Sequence, residues 1–157
     1  MDNTFDMLHE ILVKLFQDIM DIERKAIITK EFQDISNNDM HIIEAIGIDE
    51  SKNMSMVAKM VSVTVGTLTI AINSLVKKGY VNRMRGERDR RVVYISLTEK
   101  GRIAYRHHEE FHRQMIDAII DGLSEDEQKI LVKALSNLNN FFRGYQEKKR
   151  EIIEKME

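Results

Sequence analysis

The sequence predicts a mainly α-helical chain with one short β-hairpin, and three observations lead there. The 157 residues include no proline and only 7 glycines, so few positions interrupt a helix. Over most of the length, apolar residues recur at helical spacing. Between Gly79 and Thr98 the period becomes extended, with Val, Tyr and Ile gathered in two short runs.

A first helix covers about 4–29, where Phe5, Leu8, Leu12, Leu15, Phe16, Ile19 and Ile22 lie close to one stripe. Ser36, Asn37, Asn38 and Asp39 offer capping side chains to a second helix over roughly 38–48, and Gly47 falls near its end. Ser55 is expected to cap a short third helix over 56–61. Thr64 is expected to cap a fourth that runs to Lys78, with Gly79 as its left-handed stop. In this fourth helix Leu68, Ile72, Leu75 and Val76 face inward, leaving Thr64, Val65, Thr67, Thr69, Ile70 and Asn73 outside.

Two strands follow, over 80–85 and 92–97, joined by the polar tip Gly86-Glu87-Arg88-Asp89-Arg90-Arg91. Thr98 caps a fifth helix that reaches about Asp121. Ser124 and Glu127 form a capping box for the last helix, in which each satisfies an orphan backbone donor of the other. Its apolar side carries Ile130, Leu131, Ala134, Leu135, Leu138, Phe141, Phe142 and Tyr145, and its tail is mostly charged.

Charge is distributed in blocks. The chain has 24 Lys and Arg against 26 Asp and Glu, a formal charge of −2 that by itself argues against nucleic acid. Residues 1–58, however, carry 5 basic and 12 acidic side chains, 59–113 carry 12 and 5, and 114–157 carry 7 and 9. The middle block is therefore strongly positive, as a DNA-reading module inside an acidic scaffold would be. Absence of cysteine excludes disulfides, thiolate zinc sites and thiol redox switches. The longest apolar run, Val92-Val93-Tyr94-Ile95, is far short of the roughly 20 residues that span a bilayer, and the start lacks a basic leader, so a cytoplasmic chain is expected. No nucleophile motif and no Gly-rich phosphate loop occur, so neither an enzyme nor a cofactor is expected.

Helix, helix, turn, helix and hairpin is the order of a winged helix-turn-helix, and the positive block coincides with its second half. Small uncharged side chains on the fourth helix suit base edges, and its N-terminus attracts phosphate. Gly66 lets the backbone approach closely. In the hairpin, Arg83, Arg85, Arg88, Arg90 and Arg91 fall within nine positions and suit a narrow minor groove. Asp89 among them is expected to pair with an Arg and shape the tip. The competing readings are a solvated basic hairpin and a mediocre core helix, each without a partner. Candidate DNA contacts are Ser62, Thr64, Val65, Gly66, Thr67, Thr69, Asn73, Arg83, Arg85, Arg88, Asp89, Arg90 and Arg91.

The run Ala58-Lys59-Met60-Val61-Ser62-Val63-Thr64, the stretch Leu75-Val76-Lys77-Lys78-Gly79-Tyr80-Val81, then Asp89-Arg90-Arg91 and Leu97-Thr98-Glu99-Lys100-Gly101 resemble the MarR family of winged-helix repressors across essentially the whole chain. Within it, Phe32-Gln33-Asp34-Ile35-Ser36, Met40-His41, Ile46-Gly47, the run 63–69, Asn73, Lys78-Gly79-Tyr80, Asp89-Arg90-Arg91-Val92-Val93 and the spacing of His108, Phe111 and His112 resemble the FabT group of fatty-acid-synthesis repressors. The resemblance implies one MarR-type domain over 1–157, with a winged helix-turn-helix lobe at 36–98 and a helical dimerisation region at 1–32 and 99–157. It also implies a homodimer on palindromic double-stranded operator DNA, with acyl-acyl carrier protein or another long-chain acyl effector as corepressor. The terminal helices carry more apolar surface than the lobe can cover, in keeping with a dimer.

A fatty-acyl effector needs an apolar tunnel, and the 10 methionines offer adaptable lining. Phe16, Met20, Met40, His41, Met60, His108, Phe111, His112 and Met115 are candidate ligand contacts, though Met and Phe at helical spacing also serve as core filler. His108 and His112 stand at i, i+4 with Glu109 beside them, a spacing able to hold a metal. With no thiolate and no second cluster, no metal ligand is assigned, and a regulator responding to zinc or another small hydrophobic ligand remains the alternative.

Overall fold

A computed structural model of the chain describes residues 2–27, 29, 31–87 and 89–154, with backbone alone at 2 and 146–154. Arg88 lies outside the described residues. In chain order the elements are α1 (Asp2–Ile27), α2 (Asn37–Ile46), β1 (Lys52–Asn53), α3 (Met54–Met60), α4 (Val65–Lys77), β2 (Val81–Arg85), β3 (Val93–Leu97), α5 (Glu99–Asp121) and α6 (Glu125–Glu154). The chain divides into two units, Met1–His112 and Arg113–Glu157, each taken by itself below. Among the described residues no single helix is long and apolar enough to cross a membrane.

The helix starts follow local chemistry. Ser36 and Asp39 cap each other's backbone amides at the start of α2, and Thr64 Oγ1 accepts from Thr67 N at 3.1 Å at the start of α4. The cap of α3 is Asn53, whose Oδ1 accepts from Met56 N at 2.8 Å, and not Ser55. α3 begins earlier than expected because Lys52–Asn53 form a strand. That strand pairs with Ile95 and Tyr94, so the sheet has three antiparallel strands in the order β1-β3-β2, adding one to the expected hairpin. A two-residue strand has no period of its own to reveal it.

The core of the first unit gathers Met40, Ile43 and Ile46 of α2, Val57 of α3, Leu68, Ile72 and Leu75 of α4, Tyr80, and Ile95 of β3, all fully buried. Val76 is the exception to the expected inward set. It remains 39% exposed, because it sits at the edge of the arc that Leu68, Ile72 and Leu75 turn inward. α1 contributes only Glu23 and Ile27 to the buried set. In the second unit Ser124 N donates to Glu127 Oε2 at 2.9 Å and Glu127 N to Ser124 Oγ at 3.4 Å, completing the capping box of α6. No described side chain of α6 is buried.

One polar knot joins the α1–α2 connection, the end of α4 and the start of α5. The Tyr80 hydroxyl donates to Asp34 Oδ1 at 2.6 Å, and Lys100 Nζ lies 4.0 Å from the Tyr80 ring centroid while donating to Asp34 Oδ2 at 3.3 Å. The Tyr80 hydroxyl and Lys100 hold the Asp34 carboxyl below the usual carboxylate range, and burial holds the Tyr80 phenol well above its ordinary value. Tyr80→Phe keeps the packed ring and removes the donor, with an expected cost of about 1–2 kcal/mol at neutral pH. A carboxyl with a depressed value stabilises the fold above the ordinary carboxylate range and loses that contribution as pH falls through its own. The gap between wild type and variant in urea melts should therefore be largest at pH 7 and close in acid.

Candidate nucleic-acid interface

Between α3 and α4 the chain bends by 103°, within the range of helix-turn-helix units. Ser62 takes the left-handed region there with φ 57°, and Val63 N donates to Ala58 O at 3.0 Å. Gly79, φ 80°, lets the chain leave α4 for β2. Lys78 ends α4 and ties it to α2 through a 2.9 Å ion pair with Asp39. The helix is thereby held at both ends, and its outer face is free.

Thr64, Val65, Gly66, Thr67 and Asn73 are exposed on that face. Thr64 already serves as the cap, and its hydroxyl lies 2.9 Å from that of Thr67. Thr69 is half-buried and spends its proton on Val65 O at 2.7 Å, which leaves it as an acceptor. Asn73 Oδ1 accepts from Arg83 Nη1 at 3.0 Å, so helix and hairpin are joined and the Asn73 amide nitrogen remains as a donor.

Arg83 and Arg85 on β2 and Arg90 and Arg91 at the tip are all exposed. Asp89 shapes the tip through the backbone: its Oδ1 accepts from Arg91 N at 2.9 Å, and among the described residues no guanidinium is bonded to it. In a tip this short the nearest donor is the amide two residues on. A free helix face beside a narrow cationic hairpin can place one in a major groove and the other on phosphates or in a minor groove.

The candidate ligand residues do not share one tunnel. His41, His108, Phe111 and His112 meet, with Phe111 5.5 Å from His112 between ring centroids. Met20 lines a separate cavity of about 790 Å³ with Arg24, Asp34, Ile35, Asp39 and Lys78. Met60 borders a third hollow beside His41 and Glu44. Met40 is fully buried in the core, Phe16 is exposed, and Met115 lies half-buried in the second unit.

Glu23 and Glu44 complete the histidine group, and the sequence reading missed both. His108 Nε2 lies 3.6 Å from Glu23 Oε1 and 3.6 Å from Glu44 Oε2, and His112 Nε2 lies 3.6 Å from Glu23 Oε1. The two Nε2 atoms of His108 and His112 are 3.0 Å apart, and His41 Nε2 is 3.8 Å from Glu23 Oε1. His108 is only 2% exposed, and burial, with His112 beside it, pushes its imidazole below the ordinary value. Glu23 Oε1 is buried with no hydrogen-bond partner among the described residues. Glu109, which borders the hollow around His108, is in neither ligand group that geometry brings together, Glu23-His41-His108 and Glu44-His108-His112.

The family described as transcriptional regulator SarA/Rot matches residues 23–107. The chain is similar to a crystal structure of Streptococcus pneumoniae FabT in complex with DNA, at 41% identity and a TM-score of 0.84, covering 88% of this chain and 97% of that one. It is also 34% identical to the HTH-type transcriptional regulator SarZ of Staphylococcus haemolyticus over 69% of this chain and 74% of that protein. The HTH-type transcriptional regulator PchR of Bacillus subtilis is 25% identical over 88% of this chain and 89% of its own length.

Proposed function

The chain belongs to the winged-helix transcriptional regulators of the SarA/Rot and MarR type, and from that premise we propose a homodimeric repressor of fatty-acid biosynthesis genes that binds palindromic operator DNA. Long-chain acyl groups on acyl carrier protein act as its corepressor. The observation that carries this reading is the 41% identity to FabT, a protein solved with DNA, over 97% of that chain. The exposed face of α4 and the Arg hairpin supply the contacts: Thr67 and Asn73 toward base edges, Arg90 and Arg91 along the minor groove and backbone.

Two copies bury the apolar surface that one leaves in water. Phe5, Leu8, Leu15 and Phe16 of α1 are exposed, as are Ile130, Leu135, Phe141 and Tyr145 of α6. In the dimer two α4 helices sit about 34 Å apart, one turn of DNA. The acyl chain wedges between the dimer helices and favours the operator-spaced arrangement of the two α4 helices by population shift.

A second reading, a metal-responsive regulator, is favoured by the Glu23, His41, Glu44, His108 and His112 group. Donor atoms in a tetrahedral zinc site lie about 3.4 Å apart, close to the 3.0–3.8 Å separations found here, and the buried Glu23 Oε1, without a hydrogen-bond partner among the described residues, is a fitting ligand. A bound divalent ion would supply the charge that holds α1, α2 and α5 together at this point.

One experiment separates the two. Duplex is selected from a randomised palindromic pool, and its binding is measured with long-chain acyl-acyl carrier protein, with zinc, and with chelator. Tightening by the acyl form and indifference to zinc and chelator is the expected result. Dependence on zinc with no acyl effect selects the metal reading.

A further inference from the structure

The line of α4 directly opposite its buried side is made of Gly66, Ile70, Asn73 and Lys77, spaced i, i+4, i+7 and i+11. Leu68, Ile72 and Leu75, each with no exposure, hold the opposite side in the core, so this line is fixed as the outermost one. Its composition is unusual for a solvated surface. Ile70 is 75% exposed, more than any other large apolar side chain among the described residues. A β-branched residue is a poorer helix former than Ala and gains nothing from water, so folding gives no reason for it at this position.

The neighbours of Ile70 define what would cover it. Gly66 carries no side chain, and a Cβ placed there would meet nothing nearer than Thr64 Oγ1 at 3.8 Å, so the backbone one turn before Ile70 can come close to a flat surface. One turn after it, Asn73 has its oxygen bound by Arg83 and presents its amide donor. Lys77 is exposed at the far end. The line therefore runs from a gap to a branched aliphatic group, to a hydrogen-bond donor, to a cation. A major groove offers a matching order: acceptors on base edges, phosphates beyond them, and a single kind of apolar group, the thymine C5-methyl.

We propose that Ile70 is a specificity-determining residue that packs on a thymine methyl in each half-site, with the Asn73 amide donating to a neighbouring acceptor. This rests on the DNA-binding reading above and adds to it the base that the helix selects.

The test uses the full-length protein and the duplex it selects from the randomised pool. Each thymine in a half-site is replaced by deoxyuridine, symmetrically in both half-sites, which removes only the methyl. Wild type is expected to lose about fourfold per half-site, about 15-fold in all, at one thymine position. Ile70→Ala should bind the thymine duplex more weakly by a similar factor and be indifferent to deoxyuridine at that position, while Ile70→Val keeps most of the methyl effect. Ile70 is exposed, so circular dichroism of the alanine variant should match wild type. A flat deoxyuridine scan, or a methyl effect that survives unchanged in Ile70→Ala, overturns the proposal while leaving DNA binding in place. So does an alanine variant that binds like wild type but sediments as a smaller species, since Ile70 then serves a protein contact. If no duplex is selected at all, the DNA-binding reading itself fails.

Discussion

Arg91→Ala is expected to weaken operator binding by more than about 30-fold, with fold and oligomeric state unchanged. The side chain is exposed, and the contact that shapes the tip uses the Arg91 backbone amide, held by Asp89 at 2.9 Å, which alanine retains. In the proposed dimer what is lost is one guanidinium per protomer, and thus two per duplex, each worth on the order of 1–2 kcal/mol when placed in a narrow minor groove or on phosphate. The salt dependence gives an independent reading. Losing two phosphate contacts should lower the slope of log affinity against log salt by about 2. Fluorescence anisotropy at several salt concentrations measures both, and wild-type affinity in the variant would remove the hairpin from the interface.

Gly101→Ala should have the largest effect on stability. A Cβ at Gly101 would stand 2.1 Å from the Tyr80 carbonyl oxygen, 3.1 Å from its carbon and 3.2 Å from Leu97 Cβ. That carbonyl cannot move aside without cost, because Thr98 N donates to it at 3.0 Å and the Tyr80 ring is fully buried. The start of α5 must therefore lift off the turn that joins α4 to β2. The expected loss is about 3 kcal/mol or more, and a fall in Tm of about 10 °C by calorimetry. Because the hairpin and α4 are both anchored at this joint, operator affinity should fall as well. An unchanged Tm would mean that the two segments pack less closely than 2.1 Å requires.

This joint also explains the Leu97-Thr98-Glu99-Lys100-Gly101 motif, one of the strongest signals of family resemblance. Thr98 Oγ1 donates to Gly79 O at 2.6 Å and accepts from Gly101 N at 3.1 Å, Lys100 reaches Asp34 and the Lys78 carbonyl, and Gly101 gives room for Tyr80. Its residues bind parts of the lobe to one another and need not touch DNA.

By itself the sequence determined whatever depends on neighbours along the chain. Thr64, and Ser124 with Glu127, cap the helices they were expected to cap, and the run Ser36–Asp39 supplies the cap of α2, since a cap needs only a side chain within three residues of an open amide. The buried line of α4 and the positive hairpin were equally legible, because helical period and local charge are properties of short windows. Tertiary structure alone decided the rest. Glu23, His41, Glu44, His108 and His112 come from three helices, α1, α2 and the distant α5, and only packing brings their ring nitrogens and carboxylates within a few ångströms. Separation of the candidate ligand residues among the core, three hollows, the surface and the second unit was hidden for the same reason. Asn53 replaced Ser55 as a cap only because β3 recruited Lys52 and Asn53 as a strand, a pairing made by hydrogen bonds across more than forty residues and invisible to any local period.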